Sequence, residues 1–349
     1  MKILLILPSL ESTGPINVAF ELVKNLASKR DVEIYILAFR TGERYSDFNQ
    51  YAVDIKVISR LGLIATVFKG LFNRLGSYDL IHSHCLLPDI LNSMLRGRNN
   101  VSTIHNFMDK DYLPQYGNLL GGLLFRVHLF SLRRIKSRVS CSVSVGEYLS
   151  HRFNLDSRSI CNGVQESSND VKVDVGNKIK FISVGVFNER KNTRVILEAF
   201  SKLPKDRFEL TLLGDGPLLK ELMIKYEKHS NILFVGKSNL VRKYLFNSDV
   251  FLSSSNAEGL PMALLEALSE GLTYVVSDIE PHLEVHSLDP SAGQIVSCTA
   301  DSFYHALEKL TPDIITARKA SALKLFELNF SSKKMTDEYF YYYSEILKW

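Results

Sequence analysis

The stretch Val250-Phe251-Leu252-Ser253-Ser254-Ser255-Asn256-Ala257-Glu258-Gly259-Leu260-Pro261-Met262-Ala263-Leu264-Leu265-Glu266-Ala267-Leu268-Ser269-Glu270-Gly271-Leu272-Thr273-Tyr274-Val275-Val276-Ser277 decides the fold. Its first four residues form an apolar run, a Ser/Asn turn follows, and Pro261 supplies the fixed φ suited to a first helical position. Strong helix formers then continue to Gly271, a stop signal, and Tyr274–Ser277 reads as another buried strand. The unit is therefore strand, glycine-bearing loop, helix, strand. Glu258 falls in the loop at the carboxyl end of a strand, where open α/β sheets bind ligands. Gly259 lets the N–H groups at the helix start approach a polar ligand closely. Glu266 lies mid-helix among leucines, where a carboxylate requires water, a cation or a hydroxyl-rich ligand such as a ribose. Taken alone, the two glutamates read more readily as a residue on a solvated face and a loop end, and context must lower that reading.

Outward from this unit, strand-like and helical runs alternate along almost the whole chain, the mark of βαβ units and parallel sheets. Strands are expected at Lys2–Leu7, Val32–Leu37, Ile55–Ile58, Leu80–Ser83, Val101–Ile104, Val139–Val143 and Ser159–Cys161, with helices at Ile16–Ser28, Pro88–Arg96 and Asn118–Lys136. The polar stretch Val164–Asn177 reads as a linker. Alternation resumes with strands at Lys178–Val184, Phe208–Leu213, Ile232–Val235, Val250–Ser253 and Tyr274–Ser277. The expected organisation is α/β, with a doubly wound parallel-sheet domain over residues 1–165 and a second over 178–330. Residues 331–349 carry Met335, Tyr339, Phe340, Tyr343, Ile346 and Leu347 at helical spacing, a crossover helix that needs a hydrophobic surface and is expected to return to the first domain.

A chain of 349 residues, 46% hydrophobic and 23% charged, has room for two cores and the composition of a globular protein. Cys85, Cys141, Cys161 and Cys298 lack a CxxC or zinc-like spacing, which points to free core thiols in a reducing compartment. The run Met1–Pro8 is short for a secretory signal and lacks a small-residue cleavage pattern, so a first strand is expected. No apolar stretch reaches membrane-spanning length. The net charge is +4, but it is uneven: residues 1–165 hold 20 Lys/Arg against 13 Asp/Glu, and residues 166–349 hold 22 against 25. Part of the excess is Arg126, Arg133, Arg134, Lys136 and Arg138, beside Leu123, Leu124, Phe125, Val127, Leu129, Phe130 and Leu132. This reads equally as a basic amphipathic helix facing anionic lipid and as a core helix with a solvated face. The cations are not interleaved with aromatics on one surface, which argues against nucleic acid.

Two further loops follow strands. Val184-Gly185-Val186-Phe187-Asn188-Glu189-Arg190-Lys191-Asn192 places two cations before a helix, a natural site for a pyrophosphate. Leu213-Gly214-Asp215-Gly216-Pro217 is a strand-to-helix turn with Pro at the expected helix start, a pattern common to many enzymes.

In this order the motifs resemble the retaining glycosyltransferases of family 4, whose GT-B fold has two Rossmann-like domains facing a cleft. The resemblance covers nearly the whole chain. It rests on Glu258-Gly259-Leu260-Pro261 with Glu266-Ala267, on Gly185 with Lys191-Asn192, and on Gly214-Asp215-Gly216-Pro217. Asp79–His84, Thr103-Ile104-His105-Asn106, Cys161–Val164, Glu284 and Gly293 match other landmarks. The resemblance implies a nucleotide diphosphate sugar as donor substrate, held by Glu258, Gly259 and Leu260, with Glu266 on the ribose and Lys191 and Arg190 on the diphosphate. His105 matches the family's active-site histidine, Gly14 its amino-terminal loop glycine, and Gly185 and Gly214 its phosphate-side turns. The implied catalytic set is His105, Glu258 and Lys191, and the implied acceptor is a hydroxyl of a lipid-linked or growing glycan in cell-surface polysaccharide synthesis.

This chain departs from the pattern twice. Val186 stands where the family has Arg, so Arg190 or Arg194 is the candidate replacement, and Thr13-Gly14-Pro15 stands where two adjacent glycines are common. His82 and His84 share one strand face and read as structural rather than metal-binding. Asp109-Lys110-Asp111 is the metal motif of a different transferase fold, and a pair of surface aspartates accounts for it better. No metal and no other cofactor is expected. The rival readings are a sugar-nucleotide epimerase of the same fold and a non-catalytic basic binding protein. The expected location is cytoplasmic, with peripheral attachment at the inner face of the membrane through the basic segment.

Overall fold

A computed structural model describes residues 1–58, 77–95, 99–167 and 178–348. The expected linker residues 168–177, Arg96 at the end of one expected helix, and Trp349 lie outside the described residues. The chain divides into two compact units, Met1–Gly163 with Ser332–Trp349, and Val164–Ser331.

In the first unit, β1 (Lys2–Leu7), β2 (Glu33–Ala38), β3 (Asp54–Val57), β4 (Leu80–His84), β5 (Asn100–Ile104), β6 (Ser137–Ser140) and β7 (Arg158–Ser159) form one sheet. Among the described residues its order is β3-β2-β1-β4-β5-β6-β7, with every pairing parallel. The chain runs outward one way from β1 and then returns to the other side of it, which makes the β1/β4 boundary a topological switch point. Ile3–Leu7, Leu80–His84 and Asn100–Ile104 are buried throughout, as parallel strands covered on both faces must be.

Helix α1 (Gly14–Leu26) follows β1 with Pro15 in its first turn. The helix expected from Asn118 starts ten residues earlier, as α4 (Met108–Arg134), after α2 (Tyr45–Asn49) and α3 (Leu86–Met94). Gly117, at φ 75° and ψ 169°, kinks it, and that break hides its first turns from a periodicity reading. Helix α5 (Val143–Phe153) completes the chain-continuous part.

The tail is also helical, over Ser332–Leu347, and belongs to the first unit. It buries Met335, Tyr339 and Tyr343, and Asn25 donates to the Ser332 hydroxyl at 3.1 Å. Lys29 pairs with Asp337, and Arg158 with Glu345. The apolar stripe of the tail thus covers the domain it was expected to return to.

In the second unit, β8 (Ile179–Val184), β9 (Phe208–Leu213), β10 (Ile232–Gly236), β11 (Val250–Ser253), β12 (Thr273–Ser277) and β13 (Gly293–Val296) lie in the order β10-β9-β8-β11-β12-β13, again all parallel. Its switch point is the β8/β11 boundary. Phe181 packs edge-on against Phe200 and tilted against Phe208 in the core, at ring distances of 5.6 and 5.8 Å.

The quoted strand, loop, helix, strand unit forms with one shift: its helix is Met262–Ser269, and Pro261 precedes it as the cap, its carbonyl accepting from Leu264 and Leu265. Pro217 likewise sits in the turn before its helix, which is Leu219–Lys225. Gly271, at φ 73°, ends the first of these as expected. Its N–H bonds Leu268 and that of Leu272 bonds Ala267, the paired bonds of a Schellman stop.

None of the four cysteines is in a disulfide, but only Cys141 is fully buried, with Cys85, Cys161 and Cys298 part-exposed. No helix among the described residues is long and apolar enough to cross a membrane.

Candidate active site

The loops after β8 and β11 meet at the switch point of the second unit. Gly185, at φ 157°, opens the first loop, and Gly214, at φ 139°, opens the loop after β9. A Cβ on Gly214 would lie 1.8 Å from the Gly185 carbonyl oxygen, so the two turns interlock only because this residue has no side chain. The N–H of Phe187 bonds the Asp215 carbonyl and that of Leu218 bonds the Phe187 carbonyl, at 2.9 and 3.0 Å. Asn188 receives the Lys191 N–H, while Asn256 donates its N–H to the Arg190 carbonyl. These bonds set the ends of β8, β9 and β11 side by side.

Glu258 is the centre of the arrangement. Lys191 Nζ lies 2.5 Å from one carboxylate oxygen, which also accepts the Ser255 hydroxyl at 2.7 Å. Arg190 Nη1 lies 2.9 Å from the other oxygen and also donates to the Ala257 carbonyl at 2.8 Å. Burial pushes the Glu258 pKa upward, but Lys191, Arg190 and Ser255 outweigh it and hold the carboxyl down to about 2. Gly259 and Leu260 are buried directly after it.

A shallow open depression adjoins this cluster, lined by Ser183, Gly185, Lys191, Thr193, Ser253 and Ser255. Thr193 begins the helix Thr193–Ser201, so the depression receives the free N–H end of that helix and a lysine at once.

Glu266 lies on the helix Met262–Ser269, half-buried at its surface. Among the described residues its carboxylate has no hydrogen-bond partner. Burial pushes its pKa up to about 7 against the opposing pull of Arg242 and Lys191. Lys191 therefore acts on both glutamates, directly on Glu258 and through space on Glu266.

Arg190, expected on a diphosphate, lies on the Glu258 carboxylate, and Arg194 does not join it. Arg194 forks onto Glu221 at 2.5 and 3.0 Å, turned to the helix Leu219–Lys225, and Val186 is 48% exposed with no cation in its place. Sequence reasoning also missed Ser255 and Arg242. Ser255 stood inside the quoted Ser/Asn turn and was legible as a turn residue only, whereas Arg242 had no local signal.

Gly14 and His105 belong to the first unit, at the carboxyl ends of β1 and β5. Gly14 has open space where a Cβ would lie and no unusual φ, so its backbone does not require glycine. His105 is part-exposed, and its Nε2 lies 2.8 Å from Nδ1 of His84. His82 is fully buried, with Nε2 on the Thr103 hydroxyl and Nδ1 on the Tyr343 hydroxyl, both at 2.7 Å. Tyr339 also bonds Thr103, at 2.8 Å, which makes His82 the anchor of the tail helix and accounts for its structural role. Burial lowers the pKa of His82 to about 3 and of His105 to about 4, so both are neutral at ordinary pH.

Asp109 and Asp111 lie in the first turn of α4, not on a free surface. Asp109 takes Tyr148 and Arg152 at 2.6 Å, and Asp111 takes Asn106 at 2.6 Å. No group of His, Cys, Asp and Glu among the described residues is arranged to hold a metal ion.

Sequence comparison bears on both units. The family described as Glycosyltransferase Family 4 matches residues 13–168, and that described as Glycosyl transferases group 1 matches residues 165–321, so the two run without a break from α1 of the first unit into the last part of the second. This chain belongs to glycosyltransferase family 4. The transferase is 23% identical to the O-antigen biosynthesis glycosyltransferase WclY of Escherichia coli, over 100% of this chain and 99% of that one. It is 31% identical, over 39% of its own length and 38% of the relative's, to the Escherichia coli UDP-Gal:alpha-D-GlcNAc-diphosphoundecaprenol alpha-1,3-galactosyltransferase. Among solved structures, Anabaena HepE in complex with UDP-glucose shares its fold with a TM-score of 0.80 at 17% identity, over 100% of this chain and 99% of that one. The fold of the transferase is GT-B.

Proposed function

We propose that this transferase moves a sugar, with retention at the anomeric carbon, from a nucleoside diphosphate sugar to a hydroxyl of a lipid-linked or growing glycan in cell-surface polysaccharide synthesis. The observation that carries this reading is the buried Glu258 gripped by Lys191 and Arg190, beside a helix start at the switch point of the second unit. A diphosphate suits the Lys191 and Thr193 end of the depression, and sugar hydroxyls suit Glu258 with the Gly259 and Leu260 backbone. Ribose hydroxyls suit the unpartnered carboxylate of Glu266. The relatives' names, an O-antigen transferase and a transferase onto a diphosphoundecaprenol sugar, support the class of acceptor.

In this reading the transition state is oxocarbenium-like, and charge builds on the leaving diphosphate, where Lys191 and the helix-start N–H groups stabilise it. The acceptor hydroxyl attacks from the face the diphosphate leaves, and a phosphate oxygen takes its proton. His105 and Gly14 serve the sugar and acceptor on the first unit. In this reading Asp109 and Asp111, engaged by Tyr148, Arg152 and Asn106, hold no metal.

The reading includes attachment to an anionic membrane at its inner face. On α4, Leu119 is 93% exposed and Phe130 61%, with Leu120, Leu123 and Val127 exposed between them and Arg126, Arg133 and Arg134 exposed beside them. An apolar outward stripe edged by arginines fits a lipid headgroup boundary. Arg138 drops out of that set: its guanidinium donates to the Leu132, Ile135 and Asp156 carbonyls and closes the helix end instead.

The test is a panel of nucleotide sugars with polyprenyl-diphosphate glycan acceptors, following nucleoside diphosphate release and the product's anomeric configuration, with and without EDTA. Acceptor-dependent release with retained configuration, insensitive to EDTA and lost in Glu258→Ala, is expected. Sugar isomerisation without an acceptor, or inversion, would overturn it.

A further inference from the structure

His84 and His105 form a contact whose proton has one economical position. His84 ends β4, opposite Thr103 of β5, and His105 follows β5, so both rings lie on the same face of neighbouring strands. The His84 ring is fully buried, lying 4.3 Å from His82 and 5.1 Å from His105, nearly parallel to the latter at 23°. Its Nδ1 is 2.8 Å from His105 Nε2, and burial keeps both rings neutral by lowering both pKa values. A hydrogen bond between neutral imidazoles holds one proton, donated by one ring into the lone pair of the other.

The other nitrogen of His84 decides which ring donates. Nε2 is buried and has no hydrogen-bond partner among the described residues. If His105 donated, His84 would carry its proton on Nε2, as a buried N–H with nothing to accept it. If His84 donates from Nδ1, Nε2 is only an unfilled lone pair. Orphaned buried N–H groups are the rarer and costlier of the two. The proton of His105 then resides on Nδ1, which has no hydrogen-bond partner among the described residues on this part-exposed side chain.

We propose that His84 is a positioning residue that locks His105 in its Nδ1–H tautomer, so that His105 meets its ligand as a hydrogen-bond donor, to a sugar hydroxyl or ring oxygen. The purpose given to this contact rests on the proposed role of His105 toward the sugar; the tautomer itself does not. A donor from a neutral ring discriminates for oxygen lone pairs without adding positive charge beside an oxocarbenium-like centre.

The experiment uses the full chain labelled with ¹⁵N-histidine and long-range ¹H–¹⁵N correlation spectra, assigned with His105→Gln and His84→Gln. Expected for the wild type is a protonated Nδ1 and bare Nε2 on His105; a protonated Nε2 overturns the proposal. His84→Phe keeps the ring shape and removes the donor. In that variant the Nδ1–H signature should be lost and kcat should fall roughly tenfold or more at little-changed donor KM, the size that loss of an orienting partner costs a functional histidine elsewhere. A folded His84→Phe protein with an unchanged His105 spectrum would equally overturn it, and if that variant fails to fold the wild-type spectrum still decides. Undiminished transfer by His105→Gln would instead overturn the role given to His105, with the tautomer read independently.

Discussion

The raised pKa of Glu266 makes donor affinity pH-dependent in a predictable direction. In the unliganded protein burial brings this carboxyl to about 7, and the proposed ribose contact requires the ionised form, because only a carboxylate accepts from two hydroxyls at once. Binding therefore favours deprotonation, and affinity rises with pH through neutrality. About nine-tenths of the molecules carry the carboxylate near pH 8 and about one-tenth near pH 6, so with the ionised form binding about tenfold or more tightly than the neutral acid the dissociation constant changes roughly five- to tenfold across that span. The nucleotide's own phosphate titrates in the same region, and the comparison with Glu266→Gln removes it. Near pH 8 the variant should bind a nucleoside diphosphate about tenfold or more weakly, from lost charge-assisted hydrogen bonds. Near pH 6 the gap should shrink roughly five- to tenfold, since most wild-type molecules already carry the neutral acid. Calorimetry in buffers of different ionisation enthalpy should also show, near pH 7, about half a proton more released by the wild type than by the variant. An affinity gap that is equal at both pH values would refute the reasoning, as would equal proton release.

Two further outcomes follow from single geometric facts. Gly214→Ala places a methyl group 1.8 Å from the Gly185 carbonyl oxygen in a backbone conformation unsuited to alanine, so thermal or urea unfolding should show a loss of about 3 kcal/mol or more, with donor binding lost alongside; wild-type stability would show that the turns do not interlock. Replacing Leu123 and Phe130 by Asp should abolish co-sedimentation with anionic liposomes at low salt while leaving transfer to a soluble acceptor intact; unchanged sedimentation would remove the membrane assignment from α4.

Much of the fold was legible because its signals are local. The strand runs at Lys2–Leu7, Phe208–Leu213 and Val250–Ser253 coincide with observed strands residue for residue, since a buried parallel strand is apolar along its whole length. Helix starts were less legible. Pro261 and Pro217 carry the right φ for a first helical residue, yet each lies before its helix, and Gly117 masked the first turns of α4. Of the site, Glu258, Arg190 and Lys191 could be nominated from their loops, but a sequence cannot show that Arg190 turns to Glu258 while Arg194, four residues on, turns to Glu221.

The sequence by itself determined the alternation of strands and helices, the placement of polar loops at strand ends, and the family to which those loops belong. The alternation and the loop placement follow from periodicity and turn chemistry, which operate over a few residues, and the family rests on the resemblance of the ordered loop motifs. The tertiary structure decided which distant side chains meet. It brought Lys191 and Arg190 to Glu258, set Arg242 to act on Glu266, drew Arg138 back to the end of α4, and placed His84 between His82 and His105. Each of these depends on the strand order and register of a parallel sheet, where neighbours in space are separated by a whole crossover in the chain, and no local pattern encodes that proximity.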